Sequence, residues 1–456
     1  VRPPQQGTIH IIGAGLAGLS CALHLSRHTD RQIRIYESSP NAGGRCRSHH
    51  DAELDRVIDN GNHLALSANN NLIDYCKTIG SWERTCHVGE PVFSFYDLCS
   101  HSSWEIAPNS GPIPFWAFKK GARPPGVRLR DVLSAFRLAL SSKQTVGAAL
   151  APTVCAQTYL WDPLSESILN TPTDQACARD LWNVLRKSLF RGKKYCRPIF
   201  FKYGLSESLV TPALNYLRQR GVDIALSLPI KGLNYTCGRV TSIQAGKTEI
   251  AVDAADFVVI AVPPWRLHSL IHGTADDTAQ MPQALDTESI ANLHVRLPID
   301  YEFKTKCLIS QGAPCRTVRA LQQYGFVGIV GGLIHWVFKR DDVLSITISA
   351  ASDLSDFSRQ ELIETLLAEL RLILNDPAFA PVAHKLIIEK RATIMHTPDG
   401  HEVRKKMKCC SSNVILTGDW TNPALPKTLE SAIASGKRAA HMLLKNKDIT
   451  RAYPQK

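Results

Sequence analysis

Three glycines and one acid near the front of the chain have the spacing of a site for a diphosphate: Gly13, Gly15 and Gly18, with Glu37 nineteen positions after the last. Gly13 permits a tight turn, Gly15 lets the main chain approach a pyrophosphate, and Gly18 lets a helix pack close to a strand, while Glu37 can accept from ribose hydroxyls. These residues act together only if flanking elements hold them, and the sequence supplies those elements. An apolar strand, Ile9-His10-Ile11-Ile12, leads into the turn. Leu16 and Ala17 carry the chain into a helical stretch ending at Leu25, and a second strand, Ile33-Arg34-Ile35-Tyr36, ends on Glu37. The start of that helix offers free N–H groups and the positive end of its dipole to the diphosphate. The whole reads as a dinucleotide-binding βαβ unit.

Directly after Glu37 come Gly43, Gly44 and Arg45, two positions that permit close backbone approach and a forked cation suited to phosphate. Far downstream, Val414-Ile415-Leu416-Thr417 runs into Gly418-Asp419-Trp420-Thr421, followed by Leu425-Pro426-Lys427-Thr428 and a helical pattern from Leu429 that contains Ser431. This combination resembles the flavoprotein superfamily of amine oxidases and phytoene desaturases. The resemblance implies FAD rather than NAD, bound by the glycine turn, Glu37 and the Gly43-Gly44-Arg45 segment. It also implies that Asp419 meets the ribityl or pyrophosphate region, and that the helix after Leu425 and Thr428 points its N-terminus at the flavin ring, where a dipole favours negative charge. By family position, Ile230 meets the adenine through its backbone and Val262 lies close to the flavin.

Further strings narrow the resemblance: Asp59-Asn60-Gly61-Asn62-His63, Trp161-Asp162-Pro163-Leu164, Leu169-Asn170-Thr171-Pro172, Asn183-Val184-Leu185-Arg186 and Ser188-Leu189-Phe190. With Gly418-Asp419-Trp420-Thr421 they are similar to the squalene-associated flavoproteins of bacteria, the hydroxysqualene dehydroxylases, over nearly the whole chain. Cofactor contacts at Asn60, Gly61, Asn62 and His63 follow from that likeness. The chain departs from the family pattern where Asn62 replaces a usual Gln, where Lys187 replaces a usual Asp, and at His335-Trp336-Val337-Phe338-Lys339-Arg340. The implied reaction exchanges an allylic hydroxyl of hydroxysqualene for hydride, giving squalene. It needs a proton donor, for which Asp162 and His63 are the candidates, and a long apolar cavity. No second GxGxxG occurs, so the expected source of electrons is an external reductase or a free reductant. Two other readings remain: a flavin oxidase or desaturase acting on an amine or carotenoid, and a non-catalytic membrane-bound flavin or lipid carrier.

With 456 residues, 44% of them hydrophobic, the chain has material for a large core and for two or three domains. The expected class is α/β: a discontinuous Rossmann-type FAD domain (residues 1–86, 201–265 and 387–456) with an inserted α+β substrate domain (87–200, mainly helical, and 266–386). No apolar run is long enough for a transmembrane helix. The 13 cysteines show neither paired CxxC nor Cys/His zinc spacing, and Cys409-Cys410 is poorly placed for a disulfide. They read as reduced thiols of a cytoplasmic protein, and no metal is expected. The net charge of +12 is concentrated: 119–150 holds seven basic residues and one acid, and 179–220 ten and two. No nucleic-acid recognition motif accompanies these stretches. The aromatic stretch Pro112–Phe118 and an amphipathic pattern over Val132–Leu140 stand beside the first of them, which points instead to peripheral contact with the anionic inner face of the cytoplasmic membrane.

Overall fold

Parallel strands covered on both faces are largely apolar, and the βαβ strands follow that rule except at His10 and Arg34. Ile9, Ile11, Ile33, Ile35 and Val258–Ile260 are all buried. The computed structural model describes residues 7–141, 143–271, 285–303, 313–407 and 411–445, so Cys409 and Cys410 lie outside the described residues. Five strands form an all-parallel sheet in the order Asp223–Ala225, Ile33–Tyr36, Ile9–Ile12, Phe257–Ile260, Val414–Leu416. Helix Leu16–Leu25 packs on this sheet and against the final helix, Leu429–Lys445, so the first and last parts of the chain share one layer. An antiparallel three-stranded sheet, Ile230–Thr236, Arg239–Ala245 and Thr248–Ala251, precedes the fourth of the parallel strands.

A second layer is a seven-stranded sheet in the order Ala383–Ile394, Thr287–Arg296, Val343–Ile348, Trp336–Arg340, Phe326–Val330, Phe93–Asp97, Ser103–Ile106. Its pairs are antiparallel except that Phe326–Val330 runs parallel to Phe93–Asp97. Helix Arg359–Leu374, started by a Ser358/Glu361 capping box, buries Leu362, Leu366, Leu370 and Ile373 among the residues of this sheet.

The stretch 87–200 holds more helical segments than strands, but no long helix among its described residues. It gives two strands to the large sheet, shares Cys86–Val88 and Pro198–Phe201 with Ala65–Leu66 in a three-stranded sheet, and folds besides as short α, 3₁₀ and π segments. The Val132–Leu140 pattern does not make one amphipathic α-helix with an inward apolar face. A short α-helix, Leu129–Leu133, passes into a 3₁₀ turn, Ser134–Ala139. The tighter winding turns Val132, Ala135 and Leu138 inward and leaves Leu133, Phe136 and Leu140 exposed.

Candidate active site

The carboxyl ends of the parallel strands and one face of the large sheet enclose a continuous cavity of about 770 Å³, at the upper end of the range for ligand sites. Its wall divides by element. Gly13, Gly15, Leu16, Ala17, Glu37, Gly43, Gly44 and Arg45 line it from the nucleotide side. Phe95, Ile106, Trp116, Leu160, Trp336 and Phe338 line it from the other.

The nucleotide side is tied together by its own main chain. Glu37 is buried, with Oε2 accepting from the Ala14 amide at 2.9 Å and Oε1 from the Ser39 amide at 2.9 Å. Gly43 N–H donates to the Ala14 carbonyl at 2.9 Å, which docks the second glycine segment on the first turn. A Cβ at Gly15 would project into open space, with no protein atom within 4 Å, so the chain itself does not fill the cradle at the start of the helix. Gly18 lies behind the wall, where a Cβ would stand 2.0 Å from the Gly13 carbonyl oxygen. Arg45, expected against phosphate, pairs with Asp419 (Nη2 to Oδ1, 2.7 Å) and donates to the Ala392 carbonyl. The pair joins two motifs that are 374 residues apart.

The other expected residues fall into two groups. Ile230, Val262, Asn62, His63, Gly418, Asp419 and Thr428 line the cavity. Asn62 Nδ2 donates to Thr347 Oγ1 at 2.8 Å. His63 presents its ring to the cavity, and removal from bulk water lowers its pKa, opposed by Asp59 and aided by Arg45. Asn60, Gly61, Leu425 and Ser431 support the wall from behind: Asn60 exchanges bonds with Arg47, Gly61 sits against Asn292, the Leu425 carbonyl accepts from Arg404, and Ser431 Oγ donates to the Asp419 carbonyl. Asp162 does not reach this cavity. Its Oδ1 accepts from the Thr173 hydroxyl at 2.5 Å, and it lines a smaller side cavity of about 150 Å³.

Three features had no reading at the level of sequence. Asp180 is fully buried and accepts from His396 Nδ1 (2.8 Å), His401 Nδ1 (2.6 Å) and Arg404 Nη1 (3.3 Å). His396 Nε2 in turn accepts from the Lys427 amide, and Arg404 donates to the carbonyls of Trp420, Asn422 and Leu425. This network clamps the segment from Asp419 to Thr428 onto the wall. Cys177, Asp180 and His401 bring one potential metal-ligating atom each within 4.8 Å of one another. Burial pushes the Cys177 thiol up to about 11, however, and the Arg404 guanidinium already occupies the carboxylate, so the group reads as an ionic clamp. Lys427 also lines the cavity, with its Nζ on the Met395 carbonyl, and burial lowers its pKa to about 7. Finally, Glu166 lines both cavities. Its only signal in the sequence is its place one helical turn after Asp162 on Asp162–Leu169.

Comparison with known proteins agrees with this architecture. The profile of the flavin containing amine oxidoreductases matches residues 16–444. The chain is 33% identical to a hydroxysqualene dehydroxylase of Zymomonas mobilis over 95% of this chain and 98% of that one. It is 31% identical to one of Sinorhizobium fredii over 96% and 98%. Among solved structures, cyclohexylamine oxidase from Brevibacterium oxydans superposes with a TM-score of 0.68 at 13% identity, covering 96% of this chain and 99% of that one, a likeness of fold. A shared cradle and fold, joined to identity of this extent along the whole length, place the chain in the flavin containing amine oxidoreductase family and, within it, among the hydroxysqualene dehydroxylases.

Proposed function

We propose that this protein removes the allylic hydroxyl of hydroxysqualene reductively, giving squalene, with FAD as its cofactor. The observation that carries this reading is the single cavity, which joins a glycine-walled cradle to a chamber lined by aromatic and aliphatic side chains. FAD fits the residues present. The cradle at Gly15 is open, Glu37 keeps acceptor capacity on Oε2 beside it, and the Arg45–Asp419 pair stands where the two motifs converge. Gly13, Gly15, Leu16, Ala17 and Gly43–Arg45 would hold the diphosphate, Glu37 the adenosine ribose and Ile230 the adenine. Val262, Asp419 and Thr428 would border the flavin side, with Asn62 and His63 across from them. Gly18, Asn60, Gly61, Leu425 and Ser431 act by keeping that wall in place.

When bound and reduced, FAD supplies the two electrons and the hydrogen that replace the hydroxyl. The chain's own residues do the rest. The Phe95 and Trp336 rings wall the chamber and give a triterpene an apolar surface, and Trp104 packs behind Phe95, whose centroid is 5.5 Å from each of the two indoles. Electrons reach the protein from an external reductase or a free reductant, in keeping with one GxGxxG in the sequence. NADPH alone is therefore expected to leave the flavin of the purified protein oxidised.

No helix among the described residues is long and apolar enough to cross a membrane. We propose peripheral contact with the anionic cytoplasmic face of the membrane, supported by Ile113, Phe115, Phe118, Phe136 and Leu140, all more than half exposed beside Lys119, Arg128, Arg130 and Arg137.

The deciding experiment is anaerobic incubation of dithionite-reduced holoprotein with hydroxysqualene. Squalene in stoichiometric amount with reoxidised flavin is expected. Reduction of oxidised flavin by an amine or carotenoid would replace this reading with an oxidase or desaturase, and a flavin indifferent to every substrate would leave a carrier.

A further inference from the structure

We propose that Glu166 is the acid that protonates the departing hydroxyl, faced by the unprotonated nitrogen of His335 and reloaded with protons through the side cavity behind it. This rests on the dehydroxylase reading. Hydroxide leaves an allylic carbon poorly, so the reaction needs a carboxylic acid or its equivalent inside the apolar chamber. Most titratable side chains on the wall are committed elsewhere. Glu37 accepts from two main-chain amides, Asp419 pairs with Arg45, and Glu430 accepts from Asn71 and Leu72 at the start of helix Asn70–Thr78. His396 has both ring nitrogens engaged, and Lys427 donates to Met395. Glu389 shares a strand face with Arg391, whose guanidinium lies over Trp265. His63 lines the wall too, but burial lowers its pKa and favours the neutral ring, a poor acid. Glu166 shares the lining with Phe95, Leu164, Ile168 and Trp336.

Its second boundary is the side cavity, walled also by Asp162, His335 and the exposed Gly331 and Gly332, which open it to the surface. His335 Nδ1 lies 3.5 Å from Glu166 Oε2 and accepts from the Ser349 amide at 3.2 Å. That bond assigns the ring proton of the neutral histidine to Nε2, so the nitrogen nearest the carboxyl has no N–H to give a carboxylate. A protonated carboxyl suits such a neighbour; a carboxylate does not. The surrounding groups act in the same direction. Burial first, then the charges of Asp162 and Asp174, raise the pKa of Glu166 to about 7, and burial lowers that of His335 to about 4. The proton of Glu166 passes to the hydroxyl oxygen, and the C–O bond breaks with its electron pair leaving on water. The allylic cation takes up the hydride equivalent of reduced FAD, so alcohol, proton and hydride become hydrocarbon and water. The carboxylate then recovers its proton from solvent by way of the side cavity.

Two measurements test this, one of them free of turnover. In the apoprotein, a difference infrared spectrum of wild type against Glu166→Gln is expected to show a protonated carboxyl band that titrates near pH 7. His335→Gln, whose amide can donate to a carboxylate, should lower that midpoint, because the wild-type nitrogen offers the charged form no hydrogen bond. In holoprotein, Glu166→Gln is expected to retain FAD and to slow single-turnover flavin oxidation by hydroxysqualene about 10²- to 10³-fold. The acetate ester of the same alcohol, whose leaving group departs without prior protonation, should react in the variant at close to the wild-type rate. If Glu166→Gln does not fold, Glu166→Asp serves, with a reduced rate and the same ester rescue. Squalene formation by wild type together with an unimpaired variant, or absence of the infrared band, overturns the assignment of Glu166 alone. Failure of the wild type to form squalene overturns the dehydroxylase reading and this assignment with it.

Discussion

A charge with no access to water depends wholly on its partners, and Asp180 is the clearest case in this protein. Replacing it with Asn would leave the Arg404 guanidinium buried beside a neutral amide, at a cost of about 3–5 kcal/mol. Urea unfolding of Asp180→Asn is expected to show that loss, together with release of FAD as the Asp419–Thr428 segment comes free. The same group makes the protein acid-sensitive. Burial alone would raise the pKa of Asp180, but hydrogen bonds from His396 and His401, with the charge of Arg404, hold it well below the usual carboxylate range. Its contribution is therefore present above the unfolded-state value and is lost as pH falls. Burial lowers His396 from 6.5 to about 3, so between those values the unfolded chain binds a proton that the folded one refuses. Lys427, lowered from 10.5 to about 7, has the same sign at higher pH. Glu166, raised from 4.5 to about 7, acts the other way but is outnumbered by His396 together with His294 and His335, the last two each lowered to about 4, and buried thiols such as Cys177, raised to about 11, oppose Lys427 above about pH 9. Stability is therefore expected to fall as pH drops below about 6.5 and to rise between about 7 and 9, measured as urea midpoints. None of this was legible in the sequence. Asp180 meets His396, His401 and Arg404 across separations of 216 to 224 residues, with no motif to announce them. Glu37 was legible because its partners are local and its spacing is imposed by the turn it faces.

At the scale of elements, the nucleotide unit depends on how closely two helices approach. A Cβ at Gly436 would stand 2.2 Å from the Ala17 carbonyl oxygen and 2.8 Å from the Cys21 nitrogen, so helix Leu429–Lys445 touches helix Leu16–Leu25 backbone to backbone. Gly436→Ala is expected to cost about 1–3 kcal/mol through overpacking. It should also weaken FAD retention, since the helix it displaces begins at the cradle. Gly232→Ala, where nothing lies within 4 Å, is the control, with little change in melting temperature or flavin content. The sequence showed these helices and the parallel strands well, because an apolar period and a glycine turn are local properties. Residues 87–200 were less legible for an equally physical reason. Pieces of α, 3₁₀ and π helix have no common period, and Phe93–Asp97 and Ser103–Ile106 are strands by virtue of a sheet whose other members lie more than 180 residues downstream. Glu166 was passed over on the same ground: adjacent to a read motif, its importance comes from the cavity it faces.

Taken whole, the molecule carries a patch of exposed apolar side chains on the outside of its own substrate chamber. Trp116 lines the chamber, while Phe115 and Phe118 on either side of it are 57% and 53% exposed. Phe136, 51% exposed, packs on Phe190 and Trp182 with ring centroids 5.2 and 5.8 Å away, and Leu189 beside Phe190 lines the chamber again. The chamber wall and the outer patch are therefore two sides of one thin layer, in the part of the chain with the densest positive charge. A triterpene partitions into lipid, so a layer that rests on a bilayer would let it pass without crossing water. Anionic vesicles should then bind the protein at low salt and release it as salt screens the basic residues, each worth about 1 kcal/mol near such a surface. A triple replacement of Phe115, Phe118 and Phe136 by Ser should lower vesicle binding at least about tenfold, as removal of three partly buried aromatic groups implies. The separation from catalysis is the decisive part. With vesicle-borne hydroxysqualene the triple variant should turn over slowly, and with detergent-dispersed hydroxysqualene at the wild-type rate. Equal loss with both forms would mean that the aromatics hold the chamber together from inside, and unchanged vesicle binding would remove the membrane from this face.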